Sequence, residues 1–148
     1  MLLRHGQSTA NADGTFSGWL DVALTDRGER EATHAAELLA EHGVLPDVAH
    51  TSVLSRAIRT LDIALAVVDR RWIPARRSWR LNERHYGALQ GRSKAAVRAE
   101  VGDHLFARWR RSYDAAPPPL DARDPGSARY DPRYAALPAR AALDGGPG

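Results

Sequence analysis

The tripeptide Arg4-His5-Gly6 is the first stretch of the chain whose residue types could carry chemistry. A neutral imidazole is a nucleophile and a proton carrier near physiological pH. Arg4 adds a planar cation that suits phosphate and carboxylate groups, and Gly6 allows main-chain N–H groups to approach an anion closely. A lone histidine is more often a surface or core residue, so this tripeptide alone is a weak indication of nucleophilic chemistry on an anion.

Arginine supplies almost all of the positive charge. The 148 residues include 21 Lys and Arg against 18 Asp and Glu, a formal net charge of +3, and Lys94 is the only lysine. Acidic residues alternate with the cations, as in residues 26–31, whereas a nucleic-acid binder has a stripe of cations with aromatic residues between them. The composition therefore favours an arginine-rich pocket for a small anionic substrate over nucleic acid, although a GC-rich genome also explains much of the lysine shortage.

The composition is that of a globular chain, with 43% hydrophobic and 26% charged residues. The length suits one domain or most of one. The chain has no cysteine, which weakly favours a reducing compartment. The longest apolar run, residues 63–68, is far shorter than the roughly 20 residues that cross a bilayer. We expect a cytoplasmic protein with no membrane partner and, since no histidines and acids have metal-ligand spacing, no metal.

Three helices are predicted from apolar spacing. Thr25 is predicted to cap the first helix, which has one apolar face and ends near Gly43. Thr51 or Ser52 can cap a second helix, whose apolar residues step by three and four from Leu54 to Val68. A third helix is expected from Ser93 through about residue 111. Its inner residues are predicted to be Ala96, Val97, Val101, Leu105 and Trp109.

Three strands alternate with these helices, at residues 1–4, 44–51 and 78–81, and residues 9–24 are expected to form an ordered loop. Alternation of strands and helices predicts an α/β class with three layers, here incomplete. Seven of nine prolines lie between residues 117 and 148. We therefore expect a partial domain over 1–114 and a loop or tail over 115–148.

Several longer motifs resemble the histidine phosphatase superfamily. Residues 78–91 and 109–119 make the chain similar to one branch, the 2,3-bisphosphoglycerate-dependent phosphoglycerate mutases. The resemblance is carried in order by Arg4-His5-Gly6-Gln7-Ser8 with Asn11, by Ser17-Gly18-Trp19, by TSVLSRAIRT at 51–60, by SWRLNERHYGALQG at 78–91 and by WRRSYD at 109–114 before three prolines. It continues weakly to Leu137-Pro138.

The resemblance implies an isomerase of glycolysis and gluconeogenesis, which interconverts 2- and 3-phosphoglycerate through a phosphohistidine. It implies a 2,3-bisphosphoglycerate primer and no metal, with phosphoglycerates as small-molecule partners; a homo-oligomer stays open. His5 is implied as the nucleophile, Glu83 as the general acid and base, and Arg4 and Arg56 as clamps on the phosphoryl group. The implied substrate-binding residues are Asn11, Ser17, Gly18, Arg84, His85, Tyr86, Lys94, Arg110 and Arg111.

The chain departs from this pattern in one important respect. The family has a second catalytic histidine in a later Gly-His-Gly-Asn-Ser-Leu-Arg motif, which this sequence lacks. Roughly the last two fifths of a family member is absent, including strands that lie beside the first one. We expect exposed strand edges unless a partner completes the sheet. A histidine-type phosphomonoesterase and a catalytically inactive chain are the alternatives.

Overall fold

The structure, a computed structural model, describes residues 1–135, which form two compact units. The first consists of residues 1–12 and 21–82, and the second of residues 13–20 and 83–135. The motif at Leu137-Pro138 lies outside the described residues. The regular elements are α1 (Thr9–Ala12), α2 (Asp26–Glu41), β1 (Ala49–Thr51), α3 (Ser55–Val67), β2 (Ala75–Arg77) and α4 (Lys94–Arg111), with 3-10 helices at Trp79–Leu81, Gly87–Leu89, Ala128–Tyr130 and Pro132–Tyr134. The mixture of helices and strands confirms the predicted α/β class.

Helix α2 begins and ends as predicted. The Thr25 side chain accepts a hydrogen bond from the Gly28 N–H at 3.1 Å, which satisfies one free donor of the first turn. Gly43, just beyond the helix, has φ of +65°, a left-handed conformation that glycine adopts at low cost. Ala32 and Ala36 are buried on its inner face. The cap, the end and the inner face of α2 thus all agree with the sequence prediction.

Helix α3 is confirmed, but its predicted cap is wrong. The residue at the N-cap position is Leu54, which makes no side-chain cap. Ser52 lies two residues earlier, and its hydroxyl accepts from the Leu54 N–H at 3.1 Å. The helix start is held instead by Asp21, whose carboxylate accepts from the Ser55 N–H at 2.7 Å and from its hydroxyl at 2.5 Å. A loop carboxylate thus provides the acceptor that Thr51 or Ser52 was expected to supply.

The sheet of the first unit has two parallel strands. Ala49, His50 and Thr51 of β1 align with Ala75, Arg76 and Arg77 of β2. The strand predicted at 44–51 is therefore confirmed only over its last three residues. Ala49, Leu65 and Ile73 form the buried cluster of this unit, with Leu61 packed against it. The sheet and α3 share one apolar core.

Two predicted strands are absent from the described residues. Residues 1–4 have no strand partner, and Leu2 is fully exposed. Residues 79–81 form a 3-10 helix because Ser78 ends the sheet, with its N–H donated to the Thr51 carbonyl and its hydroxyl accepting from the Arg80 N–H. Residues 9–24 are mostly loop, as predicted, apart from the short helix α1.

The second unit is built around α4 and a loop core. Ser93 caps α4 through the Ala96 N–H, but Gly102 breaks it with φ of +78°, a kink that the spacing does not predict. Phe16, Leu89 and Val97 are fully buried together, and Tyr86, Val101, Phe106 and Trp109 pack against them. Ala96, predicted to face inward, is exposed. Val97 and Val101 before the kink and Phe106 and Trp109 after it all contact this one cluster.

Residues 115–135 belong to the second unit. Ala115, Ala128 and Tyr134 are buried, and the Tyr134 ring stacks on Trp19 with 4.9 Å between centroids. The division proposed at residue 114 stays a prediction, and the rest of the predicted tail lies outside the described residues. Over residues 1–135, no helix combines the length and the apolar character that a membrane span requires.

Candidate functional site

The His5 ring is oriented by its own loop. Nδ1 lies 2.7 Å from the carbonyl oxygen of Gly6. A carbonyl oxygen can only accept a hydrogen bond, so Nδ1 carries the proton. In a neutral imidazole the lone pair then belongs to Nε2. The geometry therefore presents Nε2 as the nucleophilic atom of a half-buried ring.

The loop that carries His5 packs directly on the start of α2. A Cβ at Gly6 would lie 2.2 Å from the Gly28 carbonyl oxygen, and one at Gly28 would lie 2.0 Å from the Gln7 carbonyl oxygen. The Thr25 N–H donates to that Gln7 carbonyl at 3.0 Å, and Glu31 accepts from the Gln7 N–H at 2.8 Å. Two glycines and the helix end thus hold the main chain beside His5 in one place.

The other three predicted residues of the phosphoryl site also lie in the first unit. Arg56 stands in the first turn of α3 and is only 1% exposed, so its charge is held inside the unit. Asn11 lies in α1, where its Oδ1 accepts from the Ser8 N–H at 3.1 Å, which directs its amide N–H2 group away from that bond. Arg4 is exposed next to His5. The first unit therefore contains the His5 imidazole, two guanidinium groups and the Asn11 amide.

Glu83, the predicted acid and base, opens the long loop of the second unit. Its Oε2 lies 3.5 Å from the Ser17 hydroxyl, which is within reach of a weak hydrogen bond. Its main-chain carbonyl accepts from the Trp19 indole N–H at 2.8 Å. Ser17 is buried and Glu83 is exposed. The main chain of Glu83 is therefore fixed, and its carboxylate lies beside the Ser17 hydroxyl.

Gly18 allows the loop after Glu83 to approach residues 17–19. Its φ is +52°, and a Cβ there would lie 2.5 Å from Gln90 Oε1 and 3.2 Å from the Tyr86 nitrogen. Gln90 Oε1 also accepts from the Trp19 N–H at 2.7 Å. In His85, Nδ1 accepts from the Gly87 N–H at 2.9 Å, which makes Nε2 the protonated nitrogen of the neutral ring. His85 here shapes its own loop.

Arg84 holds the chain downstream of α4. Its two terminal nitrogens donate to the carbonyl oxygens of Ser112 at 2.7 Å and Ala115 at 2.6 Å. A guanidinium that forks across two carbonyls is a strong, charge-assisted anchor. The structure thus gives Arg84 a positioning contact, and its role in substrate binding stays a prediction.

The charges of Glu83 and Arg110 act on both Lys94 and Tyr86 in the second unit. Burial lowers the pKa of the Lys94 ammonium, Arg110 lowers this pKa further, and Glu83 raises it. Burial raises the pKa of the Tyr86 hydroxyl, and so does Glu83, whereas Arg110, Arg84 and Arg111 lower it. Four cations therefore accompany one carboxylate. Such an excess favours an anion with several negative charges.

The structure also shows positioning residues that the sequence analysis missed. Phe16 is 1% exposed, and its ring is 5.0 Å from Tyr86 and 5.9 Å from the Lys94 ammonium. Trp19 and Gln90 fix the start of the loop as described above. An aromatic residue between Gly14 and Gly18 was the only available signal for Phe16, because its partners lie far along the chain.

The predicted set is thus divided between the units. His5, Arg4, Asn11 and Arg56 belong to the first, and Ser17, Gly18, Glu83, Arg84, His85, Tyr86, Lys94, Arg110 and Arg111 belong to the second. Within residues 1–135, no group of three or more histidine, aspartate or glutamate side chains is arranged to hold a metal ion.

Two relatives show what the chain is similar to in sequence. It is 60% identical over 138 residues to a 2,3-bisphosphoglycerate-dependent phosphoglycerate mutase of Thermobifida fusca, a match that covers 93% of this chain and 56% of the relative. A protein of the same name from Mycobacterium tuberculosis is 58% identical over 135 residues, which cover 91% of this chain and 54% of the relative. The chain spans little more than half the length of these curated relatives.

Solved structures give a similar result. A mycobacterial glucosyl-3-phosphoglycerate phosphatase in complex with VO3 matches with a TM-score of 0.65 and 34% identity, over 78% of this chain and 52% of that one. An α-ribazole phosphatase from Shigella flexneri matches with a TM-score of 0.63 and 30% identity, over 78% and 55%. The family profile of the histidine phosphatase superfamily, branch 1, matches residues 1–141. The chain therefore belongs to the histidine phosphatase superfamily.

Proposed function

We propose that His5 accepts a phosphoryl group on Nε2 and that the chain carries phosphoglycerate mutase chemistry. The observation that carries the proposal is the contact of His5 Nδ1 with the Gly6 carbonyl, which leaves the lone pair on Nε2. The names of the relatives at 58–60% identity support the substrate class. The whole activity is a proposal, because the chain spans only part of those relatives.

In the first step, the Nε2 lone pair of His5 forms a bond to phosphorus while the bond from phosphorus to the substrate oxygen breaks. Glu83 protonates the departing oxygen. Arg56 and Arg4 balance the charge that spreads over the three remaining phosphoryl oxygens, and the Asn11 amide donates to one of them. Phosphoryl transfer depends mainly on such positioning and charge compensation.

The return step uses the same residues. Glu83, now a carboxylate, takes the proton from a hydroxyl of a phosphoglycerate as that oxygen attacks the phosphohistidine. The bond from His5 Nε2 to phosphorus breaks, and the ring regains its lone pair. When the accepting hydroxyl differs from the donating one, the phosphate has moved between carbons 2 and 3. Acid and base help of this kind is worth roughly 10² to 10⁴ in rate.

A 2,3-bisphosphoglycerate primer fits the charge of the second unit. Lys94, Arg110 and Arg111 provide three cations, and Glu83 is the carboxylate whose charge acts on Lys94 and Tyr86 beside them. Burial lowers the pKa of Lys94, and a bound phosphate or carboxylate beside it would raise that pKa again, which makes a nearby anion favourable. Ser17, Gly18, His85 and Tyr86 complete the proposed set around these cations, with no metal required in the steps above.

Hydrolysis is the second candidate. The solved structures at 30–34% identity include two phosphatases, and water can replace the hydroxyl in the return step. In that case water attacks the phosphorus, the bond from His5 Nε2 to phosphorus breaks, and inorganic phosphate is released. Small-molecule phosphate esters are the proposed partners in both cases. The proposal keeps the expectation of a cytoplasmic location, which derives from the cysteine-free composition.

The test is to incubate the purified chain with 2,3-bisphosphoglycerate labelled in its phosphates and to locate the acid-labile label. We expect label on His5 and none in His5→Gln. The matched control is His42→Gln, because His42 Nδ1 is also 2.8 Å from a main-chain carbonyl, that of Leu38. Transfer of label to phosphoglycerate supports the mutase, and release to water supports the phosphatase. Absence of label from His5 contradicts both and favours the inactive alternative.

A further inference from the structure

Helix α4 is interrupted by a kink at a single residue. Gly102 has φ of +78° and ψ of 164°, a combination that is essentially restricted to glycine. Within residues 1–135, apart from the adjacent turns of the helix itself, no atom lies within 4 Å of a Cβ placed at Gly102. The backbone angles of the kink, and not a crowding side chain, therefore require glycine at this position.

An aromatic pair holds one cation from each half of this helix. The rings of Phe16 and Phe106, here called the ring pair, have centroids 6.0 Å apart and meet edge to face at 69°. The Lys94 ammonium lies 5.9 Å from the Phe16 centroid, and the Arg110 guanidinium carbon lies 5.2 Å from the Phe106 centroid. Both distances are within the range of cation–π attraction. The first and last turns of α4 thus both place a cation at the ring pair.

A straight helix could not bring these two cations together. Sixteen positions separate Lys94 from Arg110, which in a straight helix would put them about 24 Å apart along the axis and about 160° apart around it. Burial lowers the pKa of the Lys94 ammonium, the charge of Arg110 lowers it further, and Glu83 raises it. Salt screens charges that are separated by much more than about 8 Å. The action of Arg110 on Lys94 therefore depends on the kink.

We propose that Gly102 is a positioning residue, whose kink brings Lys94 and Arg110 together at the ring pair as a site that favours highly charged anions. This inference rests on the proposed function, to which it adds the residue that sets selectivity for a bisphosphate. Two cations that are held close together repel each other, and a bound anion relieves that repulsion. The benefit grows with the charge of the anion, so a bisphosphate gains more than a single phosphate.

The single lysine of the chain gives a direct readout of this arrangement. Because Lys94 is the only lysine, isotope-labelled lysine yields one side-chain resonance, whose change with pH reports the pKa of Lys94. We expect Arg110→Gln to raise this pKa in the original chain, because a repelling charge is lost, and to leave it unchanged in the Gly102→Ala chain. An equal rise in both chains, or no rise in the original chain, overturns the role of Gly102.

Two further variants separate the kink from a general loss of structure. Gly43→Ala is the matched control, since Gly43 also has positive φ and open space around a Cβ but follows α2 in the first unit. In that chain Arg110→Gln should raise the pKa of Lys94 as much as in the original chain. Phe106→Leu leaves Gly102 in place and removes one ring of the pair, so the rise should shrink. A full rise in the Phe106→Leu chain contradicts the arrangement even where Gly102→Ala does not fold.

Titration calorimetry with 2,3-bisphosphoglycerate and with inorganic phosphate tests the selectivity. Gly102→Ala should weaken the binding of 2,3-bisphosphoglycerate about tenfold and that of inorganic phosphate by less than about twofold. An equal loss for the two anions overturns the proposed selectivity. The Lys94 titration requires no ligand, so it decides the positioning role of Gly102 even where the original chain binds neither anion and the proposed function fails.

Discussion

The two units position their chemical groups by different means. In the first, the His5 loop is held by main-chain contacts, with Gly6 against Gly28 and Gln7 against the start of α2. In the second, the loop from Glu83 is held by side chains that bond to the main chain, those of Arg84 and Trp19. The proposed nucleophile, His5, therefore depends on close backbone packing, whereas the proposed acid, Glu83, and its neighbouring cations depend on a few long side chains.

This difference suits the two proposed roles. A nucleophile must present one ring nitrogen in a fixed direction, and backbone packing gives the smallest freedom of movement. A charged pocket must fit a substrate with several anionic groups, and loops held by individual side chains can open locally at lower cost than packed helices. Substitutions in the two units should therefore have effects of different size and kind.

The largest effect is expected for Gly6→Ala. The added Cβ would lie 2.2 Å from the Gly28 carbonyl oxygen, so the His5 loop must move away from α2. We expect the free energy of unfolding to fall by about 3 kcal/mol, the upper range for overpacking. Chemical denaturation measures it. The control, Gly43→Ala, has open space around its Cβ and should lose only about 1–2 kcal/mol for its positive φ. Equal losses would refute the packing argument.

A smaller effect is expected for Arg84→Ala in the second unit. Loss of two charge-assisted hydrogen bonds to Ser112 and Ala115 should cost about 2 kcal/mol. The Ala88 N–H, which donates to the Pro118 carbonyl at 2.8 Å, should exchange faster because the proline segment loses its anchor. Arg98→Ala, which removes an exposed ion pair with Asp103, should have a much smaller effect, because solvent screens exposed ion pairs. Unchanged exchange at Ala88 would show that Arg84 is not the anchor.

The smallest effect concerns pH. The pKa of Lys94 lies below its ordinary value of 10.5, so the free chain loses this charge earlier than an exposed lysine does. Affinity for 2,3-bisphosphoglycerate should fall several-fold as pH rises from about 8 toward that value, since the phosphates are already ionised there. The Lys94→Arg variant keeps its positive charge over this pH range, so its affinity for 2,3-bisphosphoglycerate should fall less. Titration calorimetry measures the affinity of the original chain and of the variant at each pH. An identical fall in affinity for the two would show that another group causes the pH dependence.

The two long helices of the first unit could be predicted because their signals are local. Apolar spacing, Thr25 and Gly43 mark α2 within neighbouring residues. In the second unit, the bounds of α4 and its Ser93 cap were predicted, but the break at Gly102 and the bond from Trp19 to a carbonyl 64 positions away were not. Residues 1–4 were expected to form a strand from composition, but a strand requires a partner, and no segment within residues 1–135 pairs with them.

In the candidate site, too, local features could be predicted and contacts between residues distant in sequence could not. The chemical residue types were found from motifs, and the structure adds the tautomer of His5 and the anchoring role of Arg84. Neither can be derived from composition, because each depends on where a carbonyl oxygen lies in space. Phe16 was missed for this reason, since its positioning role depends on contacts with Tyr86 and Lys94, which lie far along the chain.

The most direct test of the account is the position of phosphate on the His5 ring. After incubation with 2,3-bisphosphoglycerate, nuclear magnetic resonance of the denatured protein distinguishes the two phosphohistidine isomers. The contact between Nδ1 and the Gly6 carbonyl predicts phosphate on Nε2 alone. Phosphate on Nδ1, or on another histidine of the chain, would contradict the central claim.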